Sequence, residues 1–145
     1  MVDIESYVFT RLTEAILLRY PNAHITNDPV AELAGYPAVT IMEIGNATLR
    51  RMQDDEPVEH YVTVTYEVNI YSNERLGKMT VCKDILDIVD GVMLGMKFTK
   101  GLTRRLPAVD HSRTVYRLYA RYTAVVDEGT VDGDTITYHM YRRCA

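Results

Sequence analysis

The chain has 145 residues, 47% hydrophobic and 25% charged, with a formal net charge of −4. That length suits one domain that buries its own core without metals or crosslinks. No apolar run is long enough to cross a bilayer, and the acidic opening MVDIESYVF lacks the basic region of an export signal, so the expectation is a protein made in the cytoplasm.

Asp3 is placed to cap a helix running to Tyr20, with Ile4, Val8, Leu12, Ala15 and Ile16 on one apolar stripe and Pro21 as its stop. Residues 21–37 read as a loop or short irregular strand. Pro37 then precedes a strand, AVTIMEIGN, whose Val39, Ile41 and Glu43 oppose Thr40, Met42 and Ile44. The polar stretch 45–58 predicts an exposed connection between two antiparallel strands. Its adjacent Asp54, Asp55 and Glu56 lack flanking ligands and suit a solvated loop better than a cation site.

The run Glu59 to Asn73, EHYVTVTYEVNIYSN, alternates Val62, Val64, Tyr66, Val68 and Ile70 with polar residues and Tyr71, the period of a half-buried strand. A second helix is predicted from about Arg75 to Leu94. Met79, Cys82, Leu86, Val89 and Met93 form its apolar stripe, Lys83, Asp84, Asp87 and Asp90 lie opposite, and Gly95 is its expected left-handed cap. Strands follow in MKFTKGLTRRLP and RTVYRLYARYTAVVDEG; in the second, one face is apolar and the other rich in Arg and Tyr. Asp132-Gly133 signals a hairpin, which explains Asp132 and Asp134 more simply than a calcium loop does. The order of elements predicts an α+β fold, a mainly antiparallel sheet with two helices packed on one face.

Sites for chemistry are sparse. His24, His60, His111 and His139 fall in separate elements without metal-ligand spacing, and no GxSxG, P-loop or GxGxxG occurs. No enzyme activity, cofactor or metal is expected. Cys82 falls on a helical stripe as a small buried hydrophobe, and the penultimate Cys144 needs no partner. Charge is the more informative property. Across residues 1–90 acidic side chains outnumber basic ones by about two to one, whereas 97–122 carries Lys97, Lys100, Arg104, Arg105, Arg113, Arg117 and Arg121 against Asp110 alone. Such polarity suits a subunit steered onto another copy or a charged partner, and equally a solvated strand face. The candidate interface is Arg104, Arg105, Arg113, Arg117, Tyr119 and Arg121, together with Arg50, Arg51, Asp54, Asp55 and Glu56 of the polar connection. Arg and Tyr are enriched at protein interfaces, and they also track phosphates and stack bases.

The opening helix, then YPAVTIMEIGN, HYVTVTYEVNIYSNE, DIVDGVMLGMKFT and RTVYRLYARYTAVVDEG, follow one another in an order that resembles the tail terminator (tail-completion, head–tail joining) proteins of long-tailed bacteriophages. The resemblance covers most of the chain and rests on this succession, since none of the pieces is a catalytic signature. It implies a homo-oligomeric ring, a hexamer, that caps the tail tube protein, ends its polymerisation and presents a surface to the head–tail connector at the head–tail junction of the virion. DNA passing through the ring would make non-specific contact. Alternatives are a head-completion or neck adaptor and, from another class, a small nucleic-acid-binding α+β domain.

Overall fold

The computed structural model describes residues 3–27, 35, 37–48, 61–73, 79–106, 115–127, 130–132, 135–137 and 140–141. Helix α1 (Glu5–Arg19) buries Val8, Leu12 and Ile16, with Ile4 just ahead of it, a four-residue spacing that keeps one face inward. Each such side chain contributes roughly 1.5–3 kcal/mol on burial. The cap position belongs to Ile4, which offers no side-chain bond; Asp3 stands one residue earlier, where its Oδ1 accepts the Glu5 N–H at 3.1 Å. Within the segment read as a loop or short irregular strand the structure forms a strand, β1 (His24–Thr26), parallel to the start of β2 (Ala38–Thr48). β2 runs beyond the predicted boundary, so residues 45–48 of the polar connection are strand; residues 49–58 lie outside the described set.

β3 (Tyr61–Asn73) pairs with β2 on one side and with β5 (Val115–Asp127) on the other, both antiparallel. Between β3 and β5 the chain makes α2 (Met79–Gly95) and β4 (Thr99–Leu106), which borders β5. The sheet order is therefore β1-β2-β3-β5-β4, antiparallel except for β1 with β2, and β8 (Met140–Tyr141) adds to β5. β6 (Thr130–Asp132) and β7 (Thr135–Thr137) form a separate hairpin in which Asp132 pairs with Thr135. The fold is α+β. Both helical stripes join one core with the alternate residues of β3 and β5, among them Val62, Val64, Tyr66, Ala120 and Tyr122.

Helix α2 buries Cys82, Ile85, Leu86, Val89 and Met93; Ile85 joins the expected stripe because the buried face is broader than a three-four seam. The Cys82 thiol lies against the carbonyl oxygens of Ile70 and Tyr116, and burial pushes its pKa up to about 11. The helix does not end on a left-handed Gly95. Lys97 takes that conformation, with φ 69°. Phe98 N–H donates to Met93 O at 2.9 Å and Lys97 N–H to Leu94 O at 3.0 Å, the paired bonds of a Schellman end. Buried Phe98 and Met93 supply its apolar contact, and Phe98 meets Tyr66 edge-on at 5.5 Å.

Three outcomes follow from this helix. Leu86→Asp should unfold the domain, because an unpaired buried carboxylate costs several kcal/mol of the ~5–15 kcal/mol that holds a domain together. Exposed Asp87→Ala should melt close to the parent in a thermal scan. Gly95→Ala should raise the melting temperature, since Gly95 is helical and a Cβ there meets nothing within 4 Å. The expected gain is about 0.5–1 kcal/mol; a loss would move the left-handed position back to Gly95.

Candidate interface

The β3–β5 register places Tyr71 opposite Arg117, Asn69 opposite Tyr119 and Glu67 opposite Arg121. All six point to the face away from the helices, since their neighbours Ile70, Val68, Leu118 and Ala120 belong to the core. Five of them form one chain of hydrogen bonds. Arg117 Nε donates to Asn69 Oδ1 at 2.9 Å, and Asn69 Nδ2 donates to Glu67 Oε1 at 3.0 Å. The Tyr119 hydroxyl donates to Glu67 Oε2 at 3.4 Å and receives a bond from Arg121 Nε at 3.1 Å. Each guanidinium also covers a ring, Arg117 over Tyr71 at 5.6 Å and Arg121 over Tyr119 at 5.9 Å. On β4, Arg104 opposes Tyr119 and Leu102 opposes Arg121, so both extend the same face.

This arrangement revises the sequence expectation residue by residue. Arg104, Arg117, Tyr119 and Arg121 come together. Arg105 does not, because it opposes Leu118 and so belongs to the helix-side face, though it is exposed. Tyr119 is only 7% exposed, and its hydroxyl is engaged by Glu67 and Arg121, so it organises this face more than it presents a ring. Arg117 is half-buried and holds Asn69, itself 3% exposed, so it is partly a structural residue. Arg113, Arg50, Arg51, Asp54, Asp55 and Glu56 lie outside the described residues. Glu67, Asn69 and Tyr71 were not among the sequence candidates. Their signal was the polar half of the β3 alternation, but only the cross-strand register shows which arginine each one meets.

The helix-side face carries polar clusters of another kind. Asp84 of α2 accepts from the Tyr20 hydroxyl and from Arg19 Nε, the latter at 2.6 Å. Asp90 accepts from the Tyr122 hydroxyl and from Lys100 Nζ, the latter at 2.9 Å. The hydroxyl of Tyr20, with help from Arg19, holds the Asp84 carboxyl below the ordinary carboxylate range. Glu43 is the contrary case. Burial, with the charge of Glu5 and then Asp3, pushes its carboxyl above that range, against hydrogen bonds from Tyr66 and Asn46. Among the described residues no group of three or more His, Cys, Asp or Glu is placed to hold a metal. No family model matches the chain, and no curated protein matches it.

The raised Glu43 pKa has a definite sign. The folded state binds this proton more tightly than the unfolded state, so stability is lost as pH rises through the folded pKa. Glu43→Gln keeps an acceptor for Tyr66 and removes the charge. It should therefore raise the melting temperature at neutral pH, and the gain should shrink towards zero as the solution is acidified. A gain independent of pH would mean that Glu43 ionises without penalty.

Proposed function

We propose that this protein is a tail terminator of a long-tailed phage, a structural subunit that assembles into a ring, caps the tail tube and joins it to the head connector. The single observation that carries this reading beyond the sequence resemblance is the pre-ordered ladder on the helix-free sheet face. Among the described residues three guanidiniums, of Arg104, Arg117 and Arg121, share that face with two carboxylates, Glu67 and, at the end of β5, Asp127. A surface already fixed by internal hydrogen bonds loses little side-chain entropy when a partner docks, which suits a permanent assembly contact. Its positive balance selects an acidic partner surface, on another subunit or on the tube.

A nucleic-acid-binding role fits this face less well. Stacking needs an open ring, and the rings of Tyr71 and Tyr119 are each 7% exposed with an arginine over them. The arginines alone would give contact with phosphates lacking base recognition, as a DNA channel requires. In the proposed setting the protein is made in the host cytoplasm and ends at the head–tail junction.

The test uses Arg121→Glu, because Arg121 is exposed and its loss leaves no buried group unpaired. The melting temperature should stay within a few degrees of the parent, while capping of tail tubes fails and tubes lengthen in electron micrographs. Tubes capped at normal length by this variant would remove the ladder from the interface. Steeply salt-dependent DNA binding by the isolated protein, abolished by the same substitution, would replace the proposal with the nucleic-acid reading.

A further inference from the structure

The sheet ends differently on its two sides. On one side β4 is the border: among the described residues it pairs with β5 alone, and Thr99 to Arg105 are exposed throughout. A register shift between Lys100 and Leu102 interrupts it, after which Leu102 to Leu106 pairs in regular register. Arg104 stands on one face of this border and Arg105 on the other, so it is basic on both faces. No acidic residue occurs between Asp90 and Asp110. Leu102 adds an exposed aliphatic group, 39% accessible.

On the opposite side β1 covers β2 only from Ala38 to Thr40. From Ile41 to Gly45, among the described residues, no strand pairs with β2 on the side away from β3. Glu43 lies there, with Asp3 and Glu5 near enough for their charges to act on it. Ile44, 42% exposed, sits in the register shift between Glu43 and Gly45. No Lys or Arg occurs between Arg19 and Arg50. The two borders thus match: among the described residues each has a bulge and an exposed aliphatic side chain, and their charges are opposite.

We infer that these borders bind each other between copies of the chain, the β4 border of one copy seating Leu102, Arg104 and Arg105 against Ile44, Glu43, Glu5 and Asp3 of the next. This deepens the proposed function, on which its biological role rests, by naming the surfaces that build the ring. The contact joins two different patches, so it propagates head to tail and closes when the rotation between copies permits. A symmetric β4–β4 contact would bring Arg104 and Arg105 onto their own equivalents, which like-charge repulsion disfavours. The bulges blunt both borders, and the cations the β4 border, against indiscriminate strand addition, leaving side-chain complementarity to choose the partner.

Two variants of the full chain test this, one with Arg104→Glu and Arg105→Glu, the other with Asp3→Lys and Glu5→Lys. All four side chains are exposed, and circular dichroism checks that each variant folds. Native mass spectrometry should show oligomers for the parent and at least about tenfold weaker association for each variant alone. An equimolar mixture should recover oligomers of even number with alternating subunits, because each altered border then meets an altered border of opposite sign. A parent that stays monomeric, variants that associate like the parent, or a mixture that does not recover would each overturn the inference. Tube capping is scored separately. A monomeric Arg104→Glu, Arg105→Glu chain that still caps tubes overturns the inference that this contact builds the capping ring and leaves the terminator role standing. Parent rings that never cap a tube overturn that role and leave the contact standing.

Discussion

The architecture hangs on the pairing of β3 with β5, which runs unbroken from Tyr61 opposite Asp127 to Asn73 opposite Val115. Thirteen residues at about 3.3 Å each give a ribbon roughly 40 Å long. Because side chains alternate, this one register decides two things together. It sends Val62, Val64, Tyr66, Val68 and Ile70 to the helices with Leu118, Ala120, Tyr122, Ala124 and Val126, and it sets Glu67 and Asn69 among the arginines on the far side. A slip of one residue would bury the arginines and expose the valines, so the apolar core enforces the geometry of the polar face. The stability of the core and the order of the polar face are two sides of one constraint.

Helix α2 is the second fixed element. Its apolar stripe supplies the packing, while Asp84 and Asp90 fix its orientation from outside the core. Asp84 ties it to the C-terminal end of α1 through Tyr20 and Arg19, and Asp90 ties it to β5 and β4 through Tyr122 and Lys100. A tyrosine hydroxyl and a cation meeting on one carboxylate give direction that apolar packing lacks, since hydrogen bonds weaken steeply off their axis. Burial and the neighbouring Asp90 both hold the Tyr122 hydroxyl in its protonated, donating form. The Lys97 turn then starts β4 immediately after the helix, with Phe98 in the core.

Much of this fold was legible in the sequence, for reasons that can be located. Period-2 alternation in 61–73 and 115–127 and the helical stripes at 4–16 and 79–93 are local signals, and each marks an element whose one face is buried. The exceptions are equally specific. A short irregular strand was one of two readings of 21–37, but the place and partner of β1 were not legible, because three residues between prolines carry too little pattern and the parallel partner begins fourteen positions later. The left-handed turn was expected at Gly95, the residue with the least backbone restriction, yet tertiary packing of Phe98 sets the helix end at Lys97. Asp84 and Asp90 looked like members of a solvated face because their tyrosine partners are distant in sequence. The candidate interface was half legible. The Arg/Tyr alternation of β5 was visible in one strand, while the carboxylate and amide that organise it belong to another, and register between strands is not a local property.

The position of Cys82 has a kinetic consequence. Its sulfur sits where α2 meets the sheet, between carbonyl oxygens of β3 and β5, and no water-accessible surface is left on the residue. Alkylating reagents attack the thiolate, and a pKa near 11 instead of 9.0 leaves about a hundredfold fewer thiolates at neutral pH even before access is considered. Labelling must wait for the helix to lift from the strands. The rate at which this sulfur is modified is therefore a clock for that opening, and the slowing of the clock on binding a partner would report how much the partner tightens the seam.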